Sequence, residues 1–244
     1  MIISIITVSY NAEKTILKTI ESVANQSYQH IEFIIIDGGS TDSTLDIINS
    51  NKSNIDIVVS EPDKGIYDAM NKGIKRATGE WILFLGADDV LHSKDTLTTC
   101  SSQLSSRFDL IYGEVVKVPS QIRYDGTFNL FKLIYRNICH QGIFFNKTIF
   151  DKLGLYNQKH RINADWEFNI RAFQDPSVKI KFIPVLVSDF FEEGASGHQV
   201  DEAYEIRRKE LLKTMPIWVK ACYKYRRSTL VKRISKTFLN FKYA

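Results

Sequence analysis

Four strand-length apolar runs, each closed by polar residues, alternate with amphipathic helical patterns over the first 90 residues. The runs at 2–8, 31–36, 55–59 and 81–85 are near-continuously apolar, as strands buried on both faces must be. Between the first two, Ile16, Leu17, Ile20, Val23 and Ala24 recur at helical spacing within 13–25, with Asn11 as the N-cap. Ser40, Thr41 and Asp42 cap a second helix running to about Ile48, and a third spans 66–77 and stops near Gly79. This alternation predicts an α/β fold: a mostly parallel, Rossmann-like sheet with helices on both faces.

Past residue 90 the rhythm loosens. The pattern predicts helices at 96–104, 128–136 and 165–173, and strands at 110–118, 121–124, 143–145 and 178–189. From Val200 onward the chain reads as helical, broken at Pro216. We divide it into a body, 1–200, and a helical basic C-terminal extension, 201–244. Hydrophobic residues at 44% and charged residues at 25% exclude a disordered or collagen-like chain. No apolar run approaches the roughly 20 residues of a membrane-spanning helix. No basic segment precedes Ile2 and no small-residue cleavage site follows, so a secretory signal is not expected. Cys100, Cys139 and Cys222 match neither a zinc site nor a disulfide framework, which suits a reducing cytoplasm.

Charge is distributed unevenly. Residues 211–244 carry nine Lys/Arg and no Asp or Glu, so residues 1–210 have a net charge of −5 within a whole of +4. The two parts are suited to different partners.

In open parallel sheets ligands bind beyond the carboxyl ends of the strands. Here those ends read Thr7-Val8-Ser9-Tyr10-Asn11, Asp37-Gly38-Gly39-Ser40, Glu61-Pro62-Asp63-Lys64-Gly65 and Gly86-Ala87-Asp88-Asp89. Each alone is ordinary turn chemistry, and Asp42 reads as a helix cap rather than a ligand. Together they gather polar groups on one edge. Asp88 and Asp89 repel one another, and a divalent cation relieves that repulsion; oxygen ligands suit Mg²⁺ or Mn²⁺. No G-x-x-x-x-G-K-[ST] loop, no G-x-G-x-x-G after the first strand and no G-x-S-x-G elbow occurs. Their absence argues against a P-loop NTPase, a dinucleotide oxidoreductase and a serine hydrolase of that type.

The strings SIITVSYN at 4–11, IIIDGGSTD at 34–42, GIYDAMNKG at 65–73 and ATGEWILFLGADD at 77–89, with ADWE at 164–167, resemble the family 2 glycosyltransferases of GT-A fold. The resemblance spans about residues 1–200 and is nearest to bacterial members that build O-antigen, capsule or exopolysaccharide. It implies that Thr7, Ser9 and Tyr10 line the nucleoside pocket, that Asp37 contacts the base, and that Lys64 lies near a basic position of that pocket. By the same resemblance Asp88 touches the ribose, Asp89 binds the metal, and Gly142 lies in a loop beside the donor sugar. The spaced Asp-x-Asp form is absent here. His198 falls where many GT-A enzymes add a histidine to the metal, and His140 is a competing active-site histidine. Asp165 matches the catalytic base, although Ala164 replaces the usual preceding acid; from spacing alone it equally caps the helix that follows.

The implied chemistry is inverting displacement at the anomeric carbon of a nucleotide sugar, a UDP-sugar being the family's commonest donor. Asp165 takes the acceptor proton and a cation neutralises the leaving diphosphate. Two other readings compete: a sugar-nucleotide nucleotidyltransferase, which would show a glycine-rich loop after the first strand, and a non-catalytic nucleotide-sugar-binding module, which would not need the acids. In a helix over 229–243, Leu230, Val231, Ile234, Phe238 and Phe241 share one arc and Lys232, Arg233 and Lys236 lie opposite. That pattern fits peripheral contact with an anionic membrane on the cytoplasmic face better than nucleic acid, or else it packs on the body. The resemblance adds a lipid-linked saccharide as acceptor.

Overall fold

The computed structural model describes residues 1–124, 126–134, 136–191, 202–214 and 217–224. His198 and the amphipathic stretch 229–243 lie outside the described residues. The first half follows the predicted alternation: β1 (Ile3–Ser9), α1 (Ile16–Ala24), β2 (Ile31–Asp37), α2 (Thr44–Ser50), β3 (Ile57–Ser60), α3 (Ile66–Arg76) and β4 (Trp81–Phe84). Then come β5 (Val90–Leu91), α4 (Thr96–Ser101), β6 (Leu110–Val118), β7 (Ile122–Tyr124), α5 (Leu130–Leu133), β8 (Ile143–Asn146), α6 (Ile149–Leu153), α7 (Ala164–Gln174), β9 (Ile180–Phe191), α8 (Glu202–Thr214) and α9 (Ile217–Lys224).

One sheet runs β3-β2-β1-β4-β8-β6-β9-β5, with β7 beside β6. Pairing is parallel from β3 through β4. Beyond β4 it is mixed: β8 is antiparallel to both β4 and β6, β9 is parallel to β6, and β5 is antiparallel to β9. The expectation of a mostly parallel sheet therefore holds only for the first half. The two segments that flank β6 and β7, with α4 and α5, hold only short helices, whereas α6 and α7 lie between β8 and β9 and precede the one parallel pairing of that half, β6 with β9. Period-2 alternation sends side chains to two cores. Ile34 and Ile36 meet Met70 and Ile74 of α3 on one face, which continues to Phe168 of α7. Phe33 and Ile35 meet Ile16 and Ile20 of α1 and Ile48 of α2 on the other.

Helix starts differ from the expected caps. Asn11 is not the N-cap of α1; it has φ 50°, and its Oδ1 accepts the Thr41 N–H at 2.9 Å. Asparagine tolerates this left-handed conformation, so it joins two loops instead. The cap position of α2 is Ser43, while Asp42 accepts the N–H of Thr44 at 3.0 Å and of Glu13 at 3.2 Å. Asp165 is no cap either: α7 begins at Ala164, with Asn163 at the cap position. The helix expected over 128–136 shortens to Leu130–Leu133.

The chain order reverses at β1, with β2 and β3 laid out on one side and β4 on the other. The crevice between the carboxyl ends of β1 and β4 is the topological switch point where open α/β sheets bind ligands. At the far end of the chain, α8 sends Tyr204 and Leu211 into the core on the α3 face. Tyr204 stacks on Trp166 of α7 with ring centroids 4.8 Å apart.

Candidate active site

The nucleotide end of the crevice is built from β1, β2 and β3. Asp37, the last residue of β2, is 0% exposed. Its oxygens accept from Ser9 Oγ (3.2 Å), Gly39 N–H (3.0 Å), Ser40 N–H (2.9 Å), Ser40 Oγ (2.5 Å) and Ser60 Oγ (2.8 Å). Burial pushes its pKa up, but Ser40, Ser60 and Ser9 outweigh burial and hold it below the usual carboxylate range. Tyr10 is 64% exposed, an aromatic face open for stacking. It lies against Gly38, where any Cβ would stand 2.4 Å from Asp63 Oδ2 and 3.5 Å from the Tyr10 ring. The Thr7 side chain is fully buried within the sheet, its hydroxyl without a hydrogen-bond partner. The Lys64 side chain is exposed on the loop before α3.

At the end of β4 the two acids divide. Asp89 is 1% exposed. Its Oδ2 accepts from Gln141 Nε2 at 2.6 Å and its Oδ1 from the Phe191 N–H at 3.0 Å. Burial and the neighbouring Asp88 push its pKa up to about 6. Asp88 is half-buried, and burial raises its pKa too. Gly86 leaves them room: a Cβ there would stand 2.5 Å from Asp89 Oδ2 and 2.8 Å from Asp88 Oδ1. Two mutually repelling carboxylates with raised pKa values, one of them accessible, fit a divalent cation. Among the described residues no group of three His, Cys, Asp or Glu side chains forms a complete metal cage.

Asp165 lies in the first turn of α7, 8% exposed. Tyr67 Oη donates to its Oδ1 at 2.6 Å and Asn137 Nδ2 to its Oδ2 at 2.7 Å. His140 Nδ1 stands 3.6 Å from Oδ2, an ion-pair separation rather than a hydrogen bond. Burial pushes the Asp165 pKa up, but His140, Tyr67 and the Trp166 N–H outweigh it, so the carboxyl stays below its ordinary range. Burial lowers His140, but Asp165, Asp89 and Asp88 together raise its pKa.

The segment between α5 and β8 joins the two halves of the site. Asn137 and His140 face Asp165, and Gln141 faces Asp89. Gly142 follows in the wall, where a Cβ would lie 3.1 Å from Val115 Cγ1 and 3.2 Å from Gly113 O. Sequence reasoning missed Tyr67, Asn137 and Gln141. Tyr67 sits inside the recognised string GIYDAMNKG and Gln141 directly precedes Gly142, but nothing local marks them; only the tertiary fold aims them at an acid.

The Glycosyl transferase family 2 model matches residues 4–166, which hold β1 through the first turn of α7 and therefore all of these acids. The chain belongs to glycosyl transferase family 2. A PGL/p-HBAD biosynthesis glycosyltransferase of Mycobacterium bovis is 39% identical over 220 residues, covering 88% of this chain and 84% of the relative. The glycosyltransferase GlyG of Streptococcus pneumoniae is 26% identical over 93% of this chain and 71% of its own. Among solved structures, S. aureus TarS 1–349 in complex with UDP-GlcNAc superposes with a TM-score of 0.69 at 18% identity, over 86% of this chain and 65% of that one. The mannosyltransferase PcManGT of Pyrobaculum calidifontis, in complex with GDP-Man and Mn²⁺, gives 0.63 at 18% identity, over 93% and 64%. The longer S. aureus TarS chain is spanned over 37% of its length, at a TM-score of 0.67. This family 2 glycosyltransferase thus has its relatives' fold.

Proposed function

We propose that this glycosyltransferase moves a sugar, with inversion, from a nucleotide-sugar donor to an acceptor hydroxyl, with a divalent cation at the Asp88–Asp89 pair. The observation that carries this reading is the convergence of an acid pair and an ionised, buried carboxylate on one edge of the sheet, joined by residues 137–142. Tyr10 offers the base a stacking face, while Asp37, occupied by five donors, holds the loop that shapes the pocket. Asp89 and the more accessible Asp88 would hold the cation. When bound, Mn²⁺ or Mg²⁺ neutralises charge developing on the leaving diphosphate. Asp165 drives removal of the acceptor proton, and with no separate nucleophile needed the attack is direct.

A UDP-sugar is the proposed donor; structural neighbours hold UDP-GlcNAc and GDP-Man, and the latter holds Mn²⁺. The proposed acceptor is a lipid-linked saccharide of a bacterial surface glycan, met at the cytoplasmic face of the membrane by the basic extension, 201–244. No helix of the described residues is long and apolar enough to cross a membrane. Lys209, Lys213, Lys220 and Lys224 are exposed on α8 and α9, in keeping with a surface contact.

Thermal-shift screening against UDP-, GDP- and dTDP-sugars with Mn²⁺ should identify the carrier, because a ligand bound only by the native state raises its stability. With that donor, Asp165→Asn should cost about 10²–10⁴-fold in turnover at nearly unchanged donor affinity. Asp89→Asn and EDTA should each abolish transfer. Turnover above about a tenth of wild type in Asp165→Asn defeats the base assignment, and EDTA-insensitive activity defeats the metal. Pyrophosphate release would point to a nucleotidyltransferase instead.

A further inference from the structure

A phenol hydroxyl carries one proton, and Tyr67 Oη faces two oxygens that can accept it. It stands 2.6 Å from Asp165 Oδ1 and 2.6 Å from the Ile162 carbonyl oxygen, each within the usual span of an O–H···O bond. A carbonyl only accepts, and so does Oδ1 while Asp165 is ionised. The hydroxyl therefore serves one of the two at a time. Once Asp165 is neutral the competition ends. A neutral carboxyl holds a donated bond less strongly than a charged one, and a proton on Oδ1 can itself be given to Tyr67 Oη. The hydroxyl hydrogen is then released to Ile162. The two separations fit both protonation states of Asp165, and only the position of one hydrogen differs between them.

The other groups around Asp165 lack this freedom. Asn137 Nδ2 donates to Oδ2 at 2.7 Å, and Asn137 Oδ1 is held by Asn169 Nδ2 at 2.9 Å, so Asn137 presents a donor in either state. In electrostatic reach of Asp165 stand Cys139 and His140 from the segment before β8, Tyr156 from the loop after α6 and Tyr204 from α8. Burial holds the Cys139 thiol and the Tyr156 and Tyr204 phenols above their ordinary pKa values. Burial works against the His140 proton, but Asp165, Asp89 and Asp88 outweigh it. All four keep their protons in the acid range where a carboxyl titrates. Tyr67 is 7% exposed, and burial, followed by the Asp165 charge, pushes its phenol well above the ordinary range. It turns its proton without losing it.

We propose that Tyr67 is a positioning residue for the base, its hydroxyl donating to Asp165 Oδ1 while the carboxylate is ionised and turning to the Ile162 carbonyl as the carboxylate takes a proton. The proposal rests on the function read above and deepens it. In transfer, the acceptor oxygen's electron pair forms the bond to the anomeric carbon. The bond from that carbon to the nucleoside diphosphate breaks, and its pair leaves on the diphosphate. The acceptor proton passes to the Asp165 carboxylate. The Tyr67 O–H rotates, and the network follows the charge without moving a heavy atom.

The test reads Asp165 by NMR in the full chain, isotope-labelled at the aspartate carboxyls. The resonance absent from Asp165→Asn is that of Asp165, and its titration gives a midpoint. Tyr67→Phe keeps the ring that packs on Tyr156, with centroids 5.5 Å apart, and removes only the hydroxyl. The midpoint should rise in Tyr67→Phe, because a donor to the charged form is gone. Turnover is read as nucleoside diphosphate release from the donor chosen by the thermal-shift screen, with water standing in for the acceptor. It should fall about 10-fold or more in Tyr67→Phe at unchanged donor KM, as a base loses its alignment. An unmoved midpoint overturns the proposal, since the hydroxyl then belongs to Ile162 throughout and only packs. Turnover within about threefold of wild type overturns it too. Either result beside a slow Asp165→Asn leaves Asp165 as the base and removes the role of Tyr67 alone. A fast Asp165→Asn removes the function read above as well.

Discussion

Asp37 shows how a single residue can be legible in the sequence for one role and occupied in the structure by another. The string IIIDGGSTD marks it as a strand-end acid, yet its carboxylate is enclosed by Ser9, Gly39, Ser40 and Ser60. Those donors cannot be foreseen from local pattern, because Ser9 and Ser60 arrive from β1 and β3. Its depressed folded pKa means that its stabilising contribution is complete above the unfolded value of about 3.9 and is lost as pH falls through the folded one. Asp37→Asn turns an amide NH₂ toward N–H or hydroxyl donors and should cost about 1–3 kcal/mol at pH 7. It should also flatten the loss of stability below pH 4. Urea unfolding at pH 7 and pH 3.5 measures both, and a variant as stable as wild type at pH 7 would refute the assignment. The base role proposed for Asp165 rests on family resemblance. Its partners Tyr67 and Asn137 lie far away in sequence, and spacing carries no record of such pairs.

Among the elements, α3 does more than cover the sheet. Its first turn delivers Tyr67 to Asp165, and its Asn71 exchanges hydrogen bonds with the backbone of Tyr156 at 2.9 and 3.0 Å. It approaches β1 closely because Gly73 faces Ile6: a Cβ at Gly73 would stand 2.4 Å from Ile6 Cγ2. The periodicity of 66–77 revealed the helix, but only the packed structure shows why a helix-disfavoured glycine occupies its interior. Gly73→Ala gains helix propensity yet must push α3 outward, and overpacking of this kind costs about 1–3 kcal/mol. We expect lower stability in chemical denaturation, together with slower turnover as Tyr67 withdraws. A variant with unchanged midpoint and turnover would show that β1 yields without consequence. Elements past residue 90 were read less exactly: β5 and α6 are short and lack a full period of pattern, and α5 has four residues where nine were expected.

For the whole molecule, the sequence's contrast between an acidic body and a basic end is not a break in packing, since α8 spans the charge boundary and sends both Tyr204, beside Trp166, and Leu211 into the core on the α3 face. The cationic stretch past residue 224 lies beyond that anchored helix. We expect the full chain to co-sediment with vesicles containing anionic lipid, and less so as salt screens the attraction over about 8–10 Å. A chain ending at residue 216 should bind weakly. Equal binding by both chains, or none by either at low salt, removes the membrane role.

The change of strand direction at β4 also carries a timetable. Pairings within β1–β3 join nearby positions, as in Ile3–Ile31 and Ile34–Ile57, whereas β4 meets β1 only through Ile3–Trp81 and its neighbours and β8 only through Trp81–Asn146, and β6 meets β9 across a comparable gap. Closing longer loops costs more entropy before any contact rewards it, so the early strands should assemble first during refolding. Gln141 and the Phe191 N–H would then reach Asp89 late, leaving both strand-end carboxylates hydrated in the nascent sheet. Pulse-labelled hydrogen exchange should find β1 and β2 amides protected before those of β8 and β9; the reverse order would contradict this sequence of events. On this timetable the molecule acquires its nucleotide-facing edge before it acquires the means to turn over a bound donor.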